Sequence, residues 1–170
     1  MTDFTAYDLL VRSAAQWPDS PAVIDDSELG GGAVITYSGL LAAADTMASG
    51  LAGLGIGRGD AVALFLPNCH HWPTIFFAAA KLGALVVPLN TRYRANEIYH
   101  LLRTSNARIL ITAPTFEGID FGTRLDDVWT LCSASPDDLA LQWFVTIGAD
   151  AVGPLPDNVR SVGIESLLGP

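Results

Sequence analysis

The chain has 170 residues, of which half are apolar and 16% are charged, so it is a packed protein rather than an intrinsically disordered one. Nine basic and eighteen acidic residues give a formal net charge of -9, which disfavours nucleic acid as a partner. Two prolines, a lysine and a glycine interrupt the apolar stretch 72–89, so we expect no membrane span. The first ten residues contain no lysine or arginine, so we expect no secretory signal and a cytoplasmic location.

The first predicted elements are a helix and a hairpin. Leu9, Leu10, Ala14 and Trp17 recur near helical spacing until prolines end the pattern. Two β-favouring runs, residues 22–24 and 33–37, then flank an acidic, glycine-rich connection, which is typical of a β-hairpin.

Alternating strands and helices follow the hairpin. Ser38 is the expected N-cap of a Leu/Ala-rich helix. Apolar runs at 61–66 and 85–89 predict two strands buried on both faces, and residues 108–112 predict a third. Helical patterns lie between them, at 70–84 and 96–107. This βαβαβ order predicts an α/β fold with a largely parallel sheet flanked by helices.

The remainder of the chain is acidic, with nine acidic side chains and only Arg124 and Arg160 as basic ones between residues 113 and 170. The apolar run 139–147 predicts one more strand, and residues 162–168 a last helical turn. We therefore divide the chain into an α/β segment, residues 1–112, and an acidic continuation of the same domain, residues 113–170.

Glycines at 53–60 superficially match a dinucleotide-binding fingerprint, but they follow a helix and precede a strand. The fingerprint needs the opposite order, so a Rossmann enzyme is disfavoured and turn residues are expected. The Cys69-His70-His71 cluster lacks a further ligand at helical spacing, and adjacent side chains diverge. We expect a polar first helical turn there, with neither a metal site nor a Cys–His nucleophile.

Three pairs of adjacent aspartates are predicted to lie in solvated turns, because Asp side chains bond local backbone amides there. They are Asp25-Asp26, Asp126-Asp127 and Asp137-Asp138. The two cysteines, Cys69 and Cys132, are unclustered and are expected to be reduced thiols.

The run Asn90-Thr91-Arg92-Tyr93-Arg94 follows a predicted strand. Parallel sheets bind ligands at the carboxyl ends of their strands, so two arginines at this position can hold an anion. The alternative is that they are surface charges that offset an acidic domain.

Several longer blocks carry a family resemblance. Thr36-Tyr37 with the helix after it, LGIGRGDAVALFLPN, HHWPTIFFAAAKLGALVVPLN and TRYRANEIYHLLRTSNARILIT together resemble the N-terminal region of adenylate-forming enzymes, above all acyl-CoA synthetases. The resemblance covers roughly residues 5–112. It implies that a carboxylic acid, fatty or aromatic, reacts with ATP and magnesium to form an acyl-adenylate, and that the acyl group then passes to coenzyme A.

The resemblance also assigns roles to residues. It places Arg92 near the phosphates of coenzyme A and leaves the rest of the chain as scaffold. From their place after the predicted strand, Asn90, Thr91 and Tyr93 are expected to line the same crevice. His70-His71 stands where relatives often have Pro-Glu, which leaves that helix start with less negative charge.

No Ser/Thr/Gly-rich loop ending in Pro-Lys-Gly occurs in the sequence, nor do the family's other adenylation motifs. We therefore expect no catalytic residue in this chain, no adenylation by it alone, and a piece cut before the catalytic motifs rather than a natural truncation. A non-catalytic binding module that keeps the fold is the alternative function. The mean hydropathy of +0.35 further suggests apolar faces through which the chain self-associates.

Overall fold

The structure is a computed structural model that describes residues 4–116, 118–133, 138–148 and 155–168. The helices in these ranges are α1 (Ala6–Gln16), α2 (Tyr37–Gly53), α3 (His71–Leu82), α4 (Ala95–Ser105) and α5 (Phe121–Ser133), with a 3-10 helix at Ile164–Leu167. The strands are β1 (Pro21–Asp25), β2 (Ala33–Thr36), β3 (Ala61–Phe65), β4 (Leu85–Pro88), β5 (Ala107–Thr112), β6 (Thr115–Phe116), β7 (Ile119–Asp120), β8 (Trp143–Thr146) and β9 (Arg160–Gly163).

The chain forms two compact units. One unit comprises the described parts of Met1–Gly59, Asn68–Leu85 and Leu167–Pro170, and the other comprises those of Asp60–Pro67 and Val86–Ser166. The first therefore holds α1, α2, α3 and the β1–β2 hairpin, and the second holds nearly all of the parallel sheet with α4 and α5.

The first unit begins with a capped helix. The Thr5 hydroxyl accepts a hydrogen bond from the Asp8 amide, and the Asp8 carboxylate accepts one from the Thr5 amide, which together fix the start of α1. Leu10 and Ala14 are buried, whereas Leu9 is 54% exposed, so the apolar stripe is narrower than the sequence suggests. The hairpin is confirmed as the antiparallel pair β1–β2.

The predicted N-cap of α2 is wrong by two residues. The Thr36 hydroxyl, and not that of Ser38, accepts the hydrogen bond from the Gly39 amide at 3.1 Å. The Ser38 hydroxyl donates to the Pro18 carbonyl instead. Thr36 is the N-cap because β2 ends there and its backbone is extended, which is the conformation that an N-cap residue adopts. The glycines after α2 are turn residues as predicted, with φ of 83° at Gly55 and 85° at Gly59.

The second unit is built on a five-stranded sheet with the order β4-β3-β5-β8-β9. The pairs β3–β5, β5–β8 and β8–β9 are parallel, which confirms the α/β class. Every residue of β3 is buried, as predicted. The expectation that the strand at 85–89 is buried is wrong, because β4 is the edge of the sheet and both Leu85 and Pro88 are exposed.

Helices α4 and α5 supply one side of the core in this unit. Ile98 and Leu102 of α4 are buried together with Phe121, Leu125 and Val128 of α5. Helix α5 was not predicted from the sequence, because acidic residues interrupt its apolar spacing. Strand β9 was not predicted either, whereas the strand expected within 139–147 is confirmed as β8 and the last helical turn as the 3-10 helix.

Two predictions about paired aspartates need correction in this unit. Asp126 and Asp127 are exposed on α5 and not in a turn. Asp138 is only partly exposed, since its carboxylate accepts a hydrogen bond from the Tyr99 hydroxyl at 2.9 Å and lies 3.4 Å from the Arg103 guanidinium. Asp137 lies outside the described residues.

Across the described ranges, no helix combines the length and the apolar character that a bilayer crossing requires.

Candidate functional site

The candidate site lies where the strands of the parallel sheet end. Phe65 of β3 is paired with Thr112 of β5, and Thr112 with Thr146 of β8. The Thr112 hydroxyl also donates to the Phe65 carbonyl at 3.0 Å. Just after β4, the Leu89 amide donates to the Leu64 carbonyl at 2.9 Å, so the end of β4 lies beside the end of β3. The chain then leaves the sheet as residues 90–94, which we call the arginine loop.

Asn90 shapes the first half of the arginine loop. Its side-chain oxygen accepts a hydrogen bond from the Arg92 amide, and its carbonyl oxygen accepts one from the Tyr93 amide, both at 2.9 Å. This is the local turn that asparagine side chains favour. At the other end of the loop, the Arg94 amide donates to the Glu97 carboxylate at 2.9 Å, which fixes the start of α4.

The loop leaves the guanidinium groups of both Arg92 and Arg94 exposed. Arg92 is exposed, and within the described residues no side-chain hydrogen bond or ion pair engages it. Thr91 and Tyr93 on either side are half-buried, and Tyr93 packs against the core of the unit. The structure thus brings the four predicted residues into one loop. Their contact with a ligand stays a prediction.

The arginine loop is held by a residue that sequence analysis did not assign to the site. One nitrogen of the Arg124 guanidinium, Nη1, donates to the Thr91 carbonyl and also to the Tyr93 carbonyl, the latter at 3.4 Å. The sequence marks Arg124 in one way, since it is one of only two basic residues between 113 and 170. What the sequence could not indicate is that α5 places it beside residues 91–93.

The arginine loop is positively charged although the chain is acidic. Among the described residues, Arg92, Arg94 and Arg124 form no salt bridge with a carboxylate. The acceptors of Arg124 are neutral carbonyl oxygens, so its charge is not cancelled. A guanidinium ion suits a phosphate, which accepts paired, charge-assisted hydrogen bonds.

A second polar cluster lies in the first unit, and it overturns the prediction that Asp25 is a solvated turn residue. Asp25 is only 5% exposed. Its carboxylate accepts hydrogen bonds from the amide and hydroxyl of Ser27 and from the amide and Nδ1 of His70. Burial acts to raise the pKa of Asp25, but these hydrogen bonds outweigh it and lower the pKa to about 2.

The Asp25 carboxylate lies against the start of α3, where it contacts His70. Because His70 is the N-cap of α3 and makes no side-chain cap itself, Asp25 provides the negative charge at this helix start from a distant strand. Burial lowers the pKa of His71 to about 4, and the neighbouring His70 acts in the same direction. The two imidazole rings lie 4.0 Å apart. The cluster is therefore a structural joint between β1 and α3.

The same cluster does not look like a nucleophile or a metal centre. Cys69 is buried, and that burial raises the pKa of its thiol, so the reactive thiolate is disfavoured. His70 Nδ1 is already engaged by Asp25 at 2.8 Å. In the part of the chain that the structure describes, no three His, Cys, Asp or Glu side chains are grouped closely enough to hold a metal ion.

A cavity of about 780 Å³ lies in the second unit. The last half of α5 and residues 155–159 line it, with Trp129, Leu139 and Leu155 as apolar walls and with Asp126 and Asp157 among its polar groups. None of the predicted site residues lines it. Its two carboxylates make it unsuited to an anionic ligand.

Comparison with known proteins identifies the family of the chain. The family model described as "AMP-binding enzyme" matches residues 10–152. The chain belongs to the family of AMP-binding enzymes. The family resemblance read from the sequence is thereby confirmed.

Several relatives of the chain are CoA ligases. It is 34% identical over 135 residues to the long-chain-fatty-acid–CoA ligase FadD13 of Mycobacterium tuberculosis, covering 77% of this chain and 24% of the relative. It is 35% identical over 112 residues to the acyl-CoA ligase sidI of Aspergillus fumigatus, covering 66% and 18%. The crystal structure of the N-terminal domain of FACL13 from Mycobacterium tuberculosis is 28% identical, with a TM-score of 0.65, and the match covers 97% of this chain and 35% of that one. The chain thus spans about a fifth to a quarter of the length of these curated relatives.

Proposed function

We propose that the chain is the N-terminal part of an acyl-CoA synthetase. The complete enzyme would join a fatty or aromatic carboxylic acid to the α-phosphate of ATP in the presence of magnesium, releasing pyrophosphate. The thiolate of coenzyme A would then attack the acyl carbon, forming the thioester and releasing AMP. Membership of the AMP-binding family and the similarity to CoA ligases support this proposal.

Within that enzyme we assign the arginine loop to coenzyme A. Arg92 would pair with a phosphate of coenzyme A, and Asn90, Thr91 and Tyr93 would line the crevice around it. The observation that carries this assignment is a free, exposed guanidinium in a positively charged loop beside the carboxyl ends of the strands. A guanidinium offers a phosphate two parallel hydrogen bonds, which gives both affinity and orientation.

Residues 1–112 and 113–170 would belong to one domain. In support, β8 and β9 from the acidic continuation extend the same parallel sheet as β3 and β5. Pairing of Ile109 with Trp143, and of the three positions that follow, joins the two segments along a full strand.

Adenylation chemistry would come from outside this chain. Lys81 is the only lysine in the sequence, and its ammonium group already lies 2.9 Å from the Asp45 carboxylate between α2 and α3. Phosphoryl chemistry needs positioned donors for the developing charge, and the sequence contains no Pro-Lys-Gly loop to provide them. We therefore propose that the 170-residue chain alone makes no acyl-adenylate.

The test separates the two half-reactions. The complete protein should exchange pyrophosphate into ATP in the presence of a suitable fatty or aromatic acid, and should form a thioester when coenzyme A is added. The 170-residue chain assayed beside it should do neither. Absence of acid-dependent exchange across a broad acid panel would refute the synthetase assignment, and exchange by the 170-residue chain would refute the claim that it is inactive.

Arg92→Ala in the complete protein tests the coenzyme A site, with Arg94→Ala as a control that removes the same charge from the same loop. Losing a guanidinium–phosphate contact costs on the order of 1.5 to 3 kcal/mol, so Arg92→Ala should raise the KM for coenzyme A roughly tenfold to a hundredfold. Pyrophosphate exchange should be unchanged. An equal effect of the two substitutions would show that only the general charge of the loop matters.

A further inference from the structure

Arg124 contacts the arginine loop from a firmly anchored position. The Asp120 carboxylate caps the start of α5 by accepting a hydrogen bond from the Thr123 amide at 3.0 Å. Phe121, the first residue of α5, is fully buried edge-on against Phe65 with ring centroids 4.8 Å apart. Leu125, next to Arg124, is buried as well. The half-buried Arg124 side chain therefore extends from a part of α5 that has little freedom to move.

The two carbonyls that Arg124 holds are those of Thr91 and Tyr93, the residues immediately before and after Arg92. Nη1 of one guanidinium thus fixes the backbone on both sides of Arg92. Asn90 fixes the same segment from the other direction through the Arg92 and Tyr93 amides. Arg92 is the residue in this segment whose side chain is left exposed and without a partner among the described residues.

We infer that Arg124 is a positioning residue for coenzyme A binding: it holds residues 91–93 in the conformation that presents the Arg92 guanidinium to a phosphate. This inference rests on the proposed function. Without Arg124, the loop would occupy the binding-competent arrangement for only a fraction of the time, and the apparent affinity for coenzyme A would fall to that fraction of its original value.

The experiment uses the complete enzyme with Arg124→Met and Arg124→Lys, and with Arg103→Met as a matched control. Arg103 is an exposed arginine of α4 that pairs with Asp138 and not with the loop. Arg124→Met should raise the KM for coenzyme A about tenfold while pyrophosphate exchange and the KM for ATP stay within twofold of wild type. Arg124→Lys should give an intermediate KM, because an ammonium group on a flexible stem holds the two carbonyls less well than a planar guanidinium. Arg103→Met should leave all of these constants within twofold.

A double substitution shows whether Arg124 acts through Arg92. If it does, adding Arg124→Met to Arg92→Ala should raise the KM for coenzyme A by less than about twofold, because the guanidinium that it positions is already gone. A full tenfold increase in the double variant would overturn the inference, since Arg124 would then act independently. Equal losses in exchange and in thioester formation would also overturn it, because they indicate a general structural role.

The outcomes separate this inference from the proposed function. If Arg92→Ala leaves the KM for coenzyme A unchanged, the proposed coenzyme A site fails and this inference fails with it. If Arg92→Ala raises that KM and Arg124→Met does not, only this inference fails. Should Arg124→Met fail to fold, Arg124→Lys decides: a raised KM with normal exchange supports positioning, and a wild-type KM overturns it.

Discussion

Replacing Asp25 by asparagine keeps the shape of the side chain but removes the charge from a buried carboxylate that accepts four hydrogen bonds. The asparagine amide group would bring a donor against the donors of Ser27 and His70. A pKa that falls from the ordinary 3.8 to about 2 corresponds to about 2 kcal/mol of stability from the ionised form. We therefore expect Asp25→Asn to lower the free energy of unfolding by about 2 to 3 kcal/mol at pH 7.

Acid should remove this contribution in a defined range. Because the folded-state pKa of Asp25 is lowered, its stabilisation is complete above the unfolded-state pKa near 3.8 and is lost as the pH falls towards about 2. The difference in unfolding free energy between wild type and Asp25→Asn should be constant above about pH 5 and should shrink between about pH 4 and pH 2.

Urea unfolding of the chain, followed by tryptophan fluorescence at several pH values, measures both effects. Asp26→Asn is the matched control, since Asp26 is adjacent, carries the same charge and is exposed, and its replacement should change the unfolding free energy by less than about 0.5 kcal/mol. If Asp25→Asn were no more destabilising than Asp26→Asn, or if the difference did not shrink in acid, the joint between β1 and α3 would not stabilise the fold as argued.

Three further predictions test other parts of the structure. Arg92→Ala should raise the KM for coenzyme A roughly tenfold or more while sparing pyrophosphate exchange, as measured in separate half-reaction assays. Gly30→Ala should destabilise the chain by about 1 to 3 kcal/mol in urea unfolding, because a Cβ there would overlap the Asp25 carboxyl group. As a control, Gly53→Ala should be neutral or slightly stabilising, because a Cβ at Gly53 would meet open space. The 170-residue chain should self-associate at high concentration, because Ile24 and Val34 form a cross-strand apolar pair that is 72% and 60% exposed. Ile24→Ser should weaken that association in sedimentation experiments. A strictly monomeric wild-type chain would contradict the last of these.

Local pattern in the sequence was enough to predict most of the elements. Continuous apolar runs indicated β3 and β5, helical spacing indicated α2 and α4, and the glycines after α2 indicated the turn. These features can be predicted from short stretches of sequence, because the spacing of buried residues and the backbone freedom of glycine depend on only a few neighbouring residues. The family also followed from the order of such blocks, and the arginine loop from its place after a strand.

Contacts between distant segments were decided only by the tertiary structure. Asp25 and His70 are 45 residues apart in sequence, and Arg124 and Thr91 are 33 apart. One of two adjacent aspartates in a turn-like segment, and an isolated arginine in an acidic segment, each look like solvent-exposed charges, because sequence shows a residue's neighbours along the chain and not its partners in space. The position of β4 at the sheet edge has the same origin: its apolar composition suits a buried strand, but the strand order decides that it pairs on one side only. The sequence by itself determined the family and most of the elements, although not α5 or β9. Packing decided which charges are buried and paired, because hydrogen bonds to a buried carboxylate or from a guanidinium exist only once the elements that carry both partners have come together.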